Sequence, residues 1–298
     1  MYYLFLKKCF EGKTYTMTKK IAWVTDTAAL LDEVFIKEHN IHVLPLSVVF
    51  EDGALRETVD MTQDEFYNKL RKTKVHPKTS QPAIGEMVSL YEKLKEEGYD
   101  CAIAVHTSSQ LSGTYQSSIA AGEMANFKVY SIDSKIGSYP MMKMIEYGQK
   151  LLKEDQDVES IVKKIQVATD QTALSFIPSS LSQLHKSGRV TGTQAILSNL
   201  LCIKLVISFD KGKVEMKEKV RTFCKAKKYV TDQFRQEMQK SPMKEVAIIH
   251  CNNEKEATCW KADLQEEYPN LNILVLPLSA AVGVHAGEGT TGLSWVTF

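Results

Sequence analysis

Short apolar runs alternate with amphipathic stretches from Lys20 to Asp133. Ile21 to Thr25 reads as a buried strand, and Asp26-Thr27 offers a cap for a helix through Leu30, Leu31, Val34 and Phe35. Ile41 to Phe50 is expected to be a second strand, closed by the turn Glu51-Asp52-Gly53. Asp60-Met61-Thr62-Gln63 opens a helix that turns Phe66, Tyr67 and Leu70 inward. Pro82 stands at the first turn of the next helix, where Ile84, Met87, Val88, Tyr91 and Leu94 share a face and Gly98 ends it. Strand Cys101 to Val105, helix Ser112 to Asn126 and strand Val129 to Ile132 follow. This alternation predicts a largely parallel sheet with helices on its faces.

The second half has a different pattern. Helices near 141–153 and 157–169 flank the charged break Lys153-Glu154-Asp155-Gln156-Asp157, which divides the chain into lobes 19–156 and 157–298. A strand is predicted at Thr172 to Ile177, with short helices around Leu181 to Lys186 and Gln194 to Leu201. Ile203 to Phe209 and Val214 to Val220 read as a hairpin, with Gly212 in its turn where positive φ is favoured. A helix over Thr222 to Gln239, strand Val246 to His250, helix Glu254 to Glu267 and strand Leu271 to Leu278 come next. Ser279 to Val284 looks strand-like, and two final strands are expected to flank the Gly-rich loop Gly283 to Gly289. The fold class is therefore α/β, with a parallel-sheet lobe followed by a mixed α+β lobe.

A chain of 298 residues can bury a core in each of two lobes. With 37 Lys and Arg against 36 Asp and Glu, it lacks the basic excess of a dedicated nucleic-acid binder. The six cysteines include no pair spaced as a zinc knuckle or redox motif, and most lie beside apolar segments, which suits a reducing cytoplasm. No apolar run reaches the roughly 20 residues that span a bilayer, so stable membrane insertion is not expected. Met1 to Thr16 are too short and wrongly flanked for a signal peptide; residues 1–18 read as an N-terminal extension or a misassigned start, with Met17 as the true start and an extra strand or arm as the rival. No metal-spaced cluster and no Walker loop occur, so neither a metal cofactor nor ATP chemistry of its own is expected.

Three hydroxyl- and glycine-rich segments carry the candidate chemistry. Thr79 and Ser80 precede Pro82 at one helix start, and Ser108 and Ser109 precede Ser112-Gly113 at another. Helix amino termini present unpaired N–H groups, so two that converge favour one small anionic head group without any lysine. Plain capping by Thr79, Ser80 or Ser112 is the rival reading. His285, between small residues in Gly283-Val284-His285-Ala286-Gly287, has little packing reason to exist and is assigned a ligand role. His106, at a strand end, is its competitor. Serine with histidine also raises nucleophilic hydrolysis, but a Gly-x-Ser-x-Gly elbow is absent and neither Asp26 nor Asp133 is selected by spacing to orient a histidine. Arg189, Lys204 and Arg221 are basic positions that would attract an acidic or phosphorylated partner if clustered.

Several of these segments, in order, resemble one known family. Thr25-Asp26-Thr27, Leu44-Pro45-Leu46, Thr79-Ser80-Gln81-Pro82, Ser108-Ser109-x-x-Ser112-Gly113-Thr114-Tyr115, Ser187-Gly188-Arg189, Ile203-Lys204, Val220-Arg221-Thr222 and Gly283-x-His285 are similar to the landmarks of the DegV family of bacterial fatty-acid-binding proteins. The match covers about Lys20 to Val296. The resemblance implies two lobes with one long-chain fatty acid buried between them, its carboxylate held by Thr79, Ser109 and the His285 region. It also implies a non-enzymatic role as binding subunit of a fatty acid kinase. A separate ATP-using subunit would phosphorylate the carboxylate, and the acyl phosphate would feed phospholipid synthesis. Arg189 and Arg221 would lie where phosphate or that subunit docks. Two departures stand out: Glu288 replaces a proline or small residue, and Leu205 replaces the proline after Lys204. The alternative reading is a Ser/His-dependent lipid esterase; a DNA-binding regulator is a third.

Overall fold

The computed structural model describes residues 19–186, 188–191 and 203–298. The first lobe begins with β1 (Ile21–Asp26), a 3-10 turn, α1 (Glu33–Glu38), β2 (Ile41–Leu44), β3 (Ser47–Phe50) and β4 (Gly53–Arg56). It continues through α2 (Gln63–Lys72), β5 (Lys78–Ser80), α3 (Ile84–Glu96), β6 (Cys101–His106), α4 (Thr114–Met124) and β7 (Val129–Asp133). Then come α5 (Ser138–Lys153) and α6 (Val158–Ala168). Strands β2-β1-β6-β7 form a parallel sheet. Its central strands β1 and β6 are buried throughout apart from the first residue of β1, as expected of a sheet covered on both faces.

The single strand expected at 41–50 is two strands. Pro45 has no N–H to give a ladder and keeps Leu44 extended, so pairing breaks there. After it, β3 leaves the parallel sheet and pairs antiparallel with β4 and β5. The helix expected directly after Asp26 is also divided. Asp26 accepts from the Ala28 N–H to start the 3-10 turn, Leu30 is left-handed, and Asp32 caps α1.

The second lobe holds β8 (Thr172–Ile177), α7 (Leu181–Lys186), β9 (Val190–Thr191), β10 (Lys204–Asp210), β11 (Lys213–Val220) and α8 (Phe223–Lys240). After these come β12 (Glu245–His250), α9 (Glu254–Glu267), β13 (Asn272–Pro277), α10 (Ala280–Ala286) and β14 (Thr291–Val296). The mixed sheet has the order β13-β12-β14-β8-β10-β11-β9. The helix expected at Gln194 to Leu201 lies outside the described residues. Ser279 to Val284 is not a strand: the Ser279 hydroxyl accepts from the Val282 N–H and opens α10. A serine cap followed by two alanines outweighs the valine alternation that suggested a strand.

The largest apolar cluster runs through both lobes, from Trp23 and Ile103 to Leu174 and Ile249. Helix α5 packs on β6 of one sheet and on β8 and β14 of the other, while α6 packs on α5 and β7. The expected lobe boundary near residue 156 falls between these two helices. Polar contacts also cross between lobes. Gln63, Tyr67 and Arg71, four residues apart on one face of α2, meet the segment around α10. Gln63 Nε2 donates to the Leu278 carbonyl at 2.6 Å, Tyr67 abuts Gly283, and Arg71 pairs with Glu288. On the other side, the Ser108 hydroxyl donates to the Gly212 carbonyl at 2.6 Å.

Candidate functional site

Between the lobes lies a cavity of about 360 Å3. Its broad part is apolar, walled by Leu174, Phe176, Phe209, Val214, Ile249 and Leu278. Polar groups come from the first lobe's loops: Thr79, Ser80 and Gln81 at the end of β5, Thr107 after β6, and Ser112 before α4. The Thr107 to Ser112 segment stands beyond the carboxyl end of the parallel strand β6, where open α/β sheets bind ligands, whereas Thr79 and Ser80 are carried by β5, which pairs antiparallel with β3. Helices α4 and α5 start at lining residues Gly113 and Gly137, and neither start has a side-chain cap. Their first-turn N–H groups supply partial positive charge without a lysine. Helix α3, which begins just after Gln81 and Pro82, is likewise uncapped by a side chain, its N-cap being Ala83. Thr79 and Ser80 are strand residues and do not cap it.

His285, on the last turn of α10, is the second lobe's polar contribution. Its Nε2 lies 2.8 Å from the Thr79 hydroxyl, and its Nδ1 is buried without a partner. Burial, with help from Arg189 and His76, pushes its pKa down to about 4. At neutral pH the ring is therefore uncharged and retains one donor and one acceptor. Arg189 also lines the cavity, at its exposed margin.

Residues 20–297 match a family profile described as "Uncharacterised protein, DegV family". The chain belongs to the DegV family. It is 35% identical over 277 residues to a DegV domain-containing protein of Halalkalibacterium halodurans, covering 93% of this chain and 98% of the relative. A crystal structure described as DegV, a fatty acid binding protein from Bacillus subtilis, superposes with a TM-score of 0.85 at 34% identity, covering 94% of this chain and 100% of that one. A structure described as a fatty acid binding DegV family protein from Streptococcus agalactiae gives 0.87 at 28% identity, covering 94% and 99%. The two-lobed α/β fold read from the sequence is thus the DegV fold.

Within this DegV-family site the remaining expected residues take distinct places. Ser80 lines the cavity, with its hydroxyl donating to the Gln81 carbonyl at 3.0 Å. Ser108 and Ser109 do not line it. Ser108 is buried against Gly212, and the Ser109 hydroxyl donates to Asp133. Ser112 is the lining serine of that loop, bonded to the Thr114 hydroxyl at 2.8 Å. His106, buried beside β1, meets Asp26 at 3.2 Å.

Hence Ser109 bonds Asp133, His106 bonds Asp26 and His285 bonds Thr79. None of these contacts builds the serine–histidine–carboxylate relay that hydrolysis needs.

The three basic positions do not form one cluster. Val190 pairs with Val214 near the hairpin turn, whereas Lys204 pairs with Val220 at its open end beside Arg221. The register separates Arg189 from Arg221 by about 25 Å along the strand. Glu288 faces Arg71, which bonds both of its carboxylate oxygens, and Asn252 donates to it at 2.6 Å. Its charge is therefore matched outside the polar end of the cavity. Sequence reasoning missed Gln81 and Thr107 as lining residues, although both adjoin the hydroxyl-rich segments it singled out.

Proposed function

We propose that this protein binds one long-chain fatty acid between its lobes and presents the carboxylate to a separate ATP-using kinase subunit. The observation that carries this reading is the Thr79–His285 pair at the polar end of an otherwise apolar cavity of fatty-acid size. The Thr79–His285 pair, which keeps one proton beyond its own bond, and the α4 start supply donors for a carboxylate that burial would otherwise penalise. Ser80 and Ser112 complete the polar lining. Each buried methylene contributes about 0.8 kcal/mol, so the tail dominates affinity and the head group sets orientation. Relatives described as fatty acid binding proteins, the Bacillus subtilis structure among them, support the same ligand.

Phosphorylation of the carboxylate by the partner would give an acyl phosphate for phospholipid synthesis, in the cytoplasm. Arg189 stands at the exposed margin of the cavity, where a transferred phosphoryl group would arrive, and Lys204 with Arg221 would meet the partner on a separate patch. Native mass spectrometry tests the ligand. A fatty acid bound one-to-one and released on denaturation is expected. A protein that is empty, and stays empty with added fatty acid, overturns the reading.

A further inference from the structure

One wall of the acyl cavity is a sheet that comes apart. Leu174 and Phe176, two residues apart on β8, share the face that lines the cavity with Phe209 of β10 and Val214 of β11. The alternate residues Ala173 and Ser175 face the other way, toward α8, which packs on β8 and β10. A second cavity of about 320 Å3 lies on that side, between the sheet and α8. Among the described residues, Leu174 and Phe209 are the two that line both cavities.

The cause is the strand pairing. β10 stands opposite β8 at Ile207 with Phe176 and at Ser208 with Ser175, and the ladder ends there. One further pair would set Phe209 against Leu174. Instead, Leu174 stays paired with Ser294 of β14, and Phe209 with Val214 of β11. The strands therefore splay, and two side chains rather than a backbone ladder separate the cavities.

This opening is far from the head group. Arg189, whose charge reaches His285, precedes Val190 of β9. Val190 stands opposite Val214, Val214 opposite Phe209, and Leu174 lies on the next strand. With strands about 4.8 Å apart, Leu174 is about 14 Å across the sheet from the Arg189 end. None of the groups assigned to the carboxylate lines the second cavity. That cavity is polar: the Ser175 and Ser208 hydroxyls meet at 2.6 Å, and Gln233, Gln236 and Lys217 join them. A methyl end that crossed would exchange apolar walls for groups that favour water.

The cleft beyond the carboxyl end of β1 offers no comparable passage. Among the described residues it shares only Leu278 with the acyl cavity. Hydrogen-bonded backbone closes the wall between them, since Glu57, bonded to Thr27, accepts the Ala281 N–H at 2.6 Å.

We infer that Leu174 and Phe209 are the stop at which the acyl chain ends, and that they determine the longest fatty acid this protein accepts. Their side chains close a slit in the sheet, and the room behind it opens only when they shrink. This rests on the fatty-acid reading of the cavity.

The test is competition binding on the full chain with straight saturated acids from dodecanoic to tetracosanoic. Affinity of the unaltered protein should rise by roughly fourfold per methylene and then fall past one length. Leu174→Ala and Phe209→Leu should each move that limit about two to three carbons longer, the size of the group removed. Leu174→Phe should move it shorter. Gln233→Trp, which fills the second cavity from α8, should cancel the gain of Leu174→Ala. Leu278→Ala should weaken all the acids alike and leave the limit in place. A limit unchanged in every Leu174 and Phe209 variant, a gain that survives Gln233→Trp, or a limit that lengthens only in Leu278→Ala would put the stop elsewhere, while fatty-acid binding stands. If no acid of the series binds, the fatty-acid reading falls and the stop with it.

Discussion

The Thr79 hydroxyl and His285 Nε2 meet at 2.8 Å from different lobes, 206 residues apart in the chain. Each side chain thus holds the other ready for a shared ligand, so neither must be ordered at the moment of binding. The pair has two protons, one spent on its own bond and one left over, so on the proposed function removing either side chain disrupts the charge-assisted bond that the pair offers the carboxylate. Thr79→Val and His285→Ala should each weaken fatty-acid retention by roughly tenfold or more, given the 1.5–3 kcal/mol typical of hydrogen bonds to charged groups. Exchange of a labelled fatty acid measures this, and unchanged retention in both variants would refute the head-group assignment.

The depressed pKa of His285 has a signature in stability. The folded value is about 4, below the 6.5 of an unperturbed histidine. Between those values the unfolded chain binds more protons, so this group's contribution is full above pH 6.5 and is lost as pH falls toward 4. The scale is on the order of 3 kcal/mol. Denaturation of ligand-free protein across this window, compared with His285→Asn, should isolate the effect. Loading with fatty acid should raise the imidazole pKa, because a carboxylate beside the ring stabilises its cation. A histidine titration by NMR that moves downward on loading would contradict this.

Glu57 slopes the other way. Burial raises its pKa to about 7, although Thr27 and the Ala281 N–H, at 2.6 Å, both bond the carboxylate. The folded state holds the proton more tightly than the unfolded one. Its contribution is therefore complete below about pH 4.5 and is lost as pH rises through about 7. Glu57→Gln should flatten that alkaline decline. Because Glu57 braces the first turn of α10, the same variant should also shift the pH dependence of ligand retention. A decline that survives in Glu57→Gln would show that another group is responsible.

Arg189→Ala separates binding from coupling. On the proposed function it should leave fatty-acid retention within a few fold while slowing acyl-phosphate formation with the proposed kinase partner by about a hundred- to a thousandfold, the loss typical when one donor to a developing charge is removed. Normal coupling in the variant would exclude Arg189 from that step.

Much of the fold is written in the local pattern. Buried strands such as Cys101 to Val105 are continuous apolar runs, and the Asp210–Lys213 turn has Lys211 and Gly212 both at positive φ, as its glycine implied. Strands β4 and β5 escaped detection because they are short and largely exposed, with pairing that depends on β3. Thr79 and His285 were legible as hydroxyl and imidazole in loop-like contexts. Glu57 and the Leu174–Phe209 pair were not: one is a single acid in the polar run Arg56-Glu57-Thr58, and the other is marked by where the β8–β10 ladder ends. Neither property leaves a trace in residue order.

The hairpin tip touches the opposite lobe at Gly212, where a Cβ would come within 2.8 Å of the Ser108 hydroxyl and where φ is +85°. Two strands leave that tip, and Phe209 and Val214, one on each, line the cavity. The spacing between this wall and the first lobe is thus gauged by a glycine that lies outside the lining. A side chain there would wedge the walls apart and change which acyl chains fit, with every ligand-contacting residue left in place.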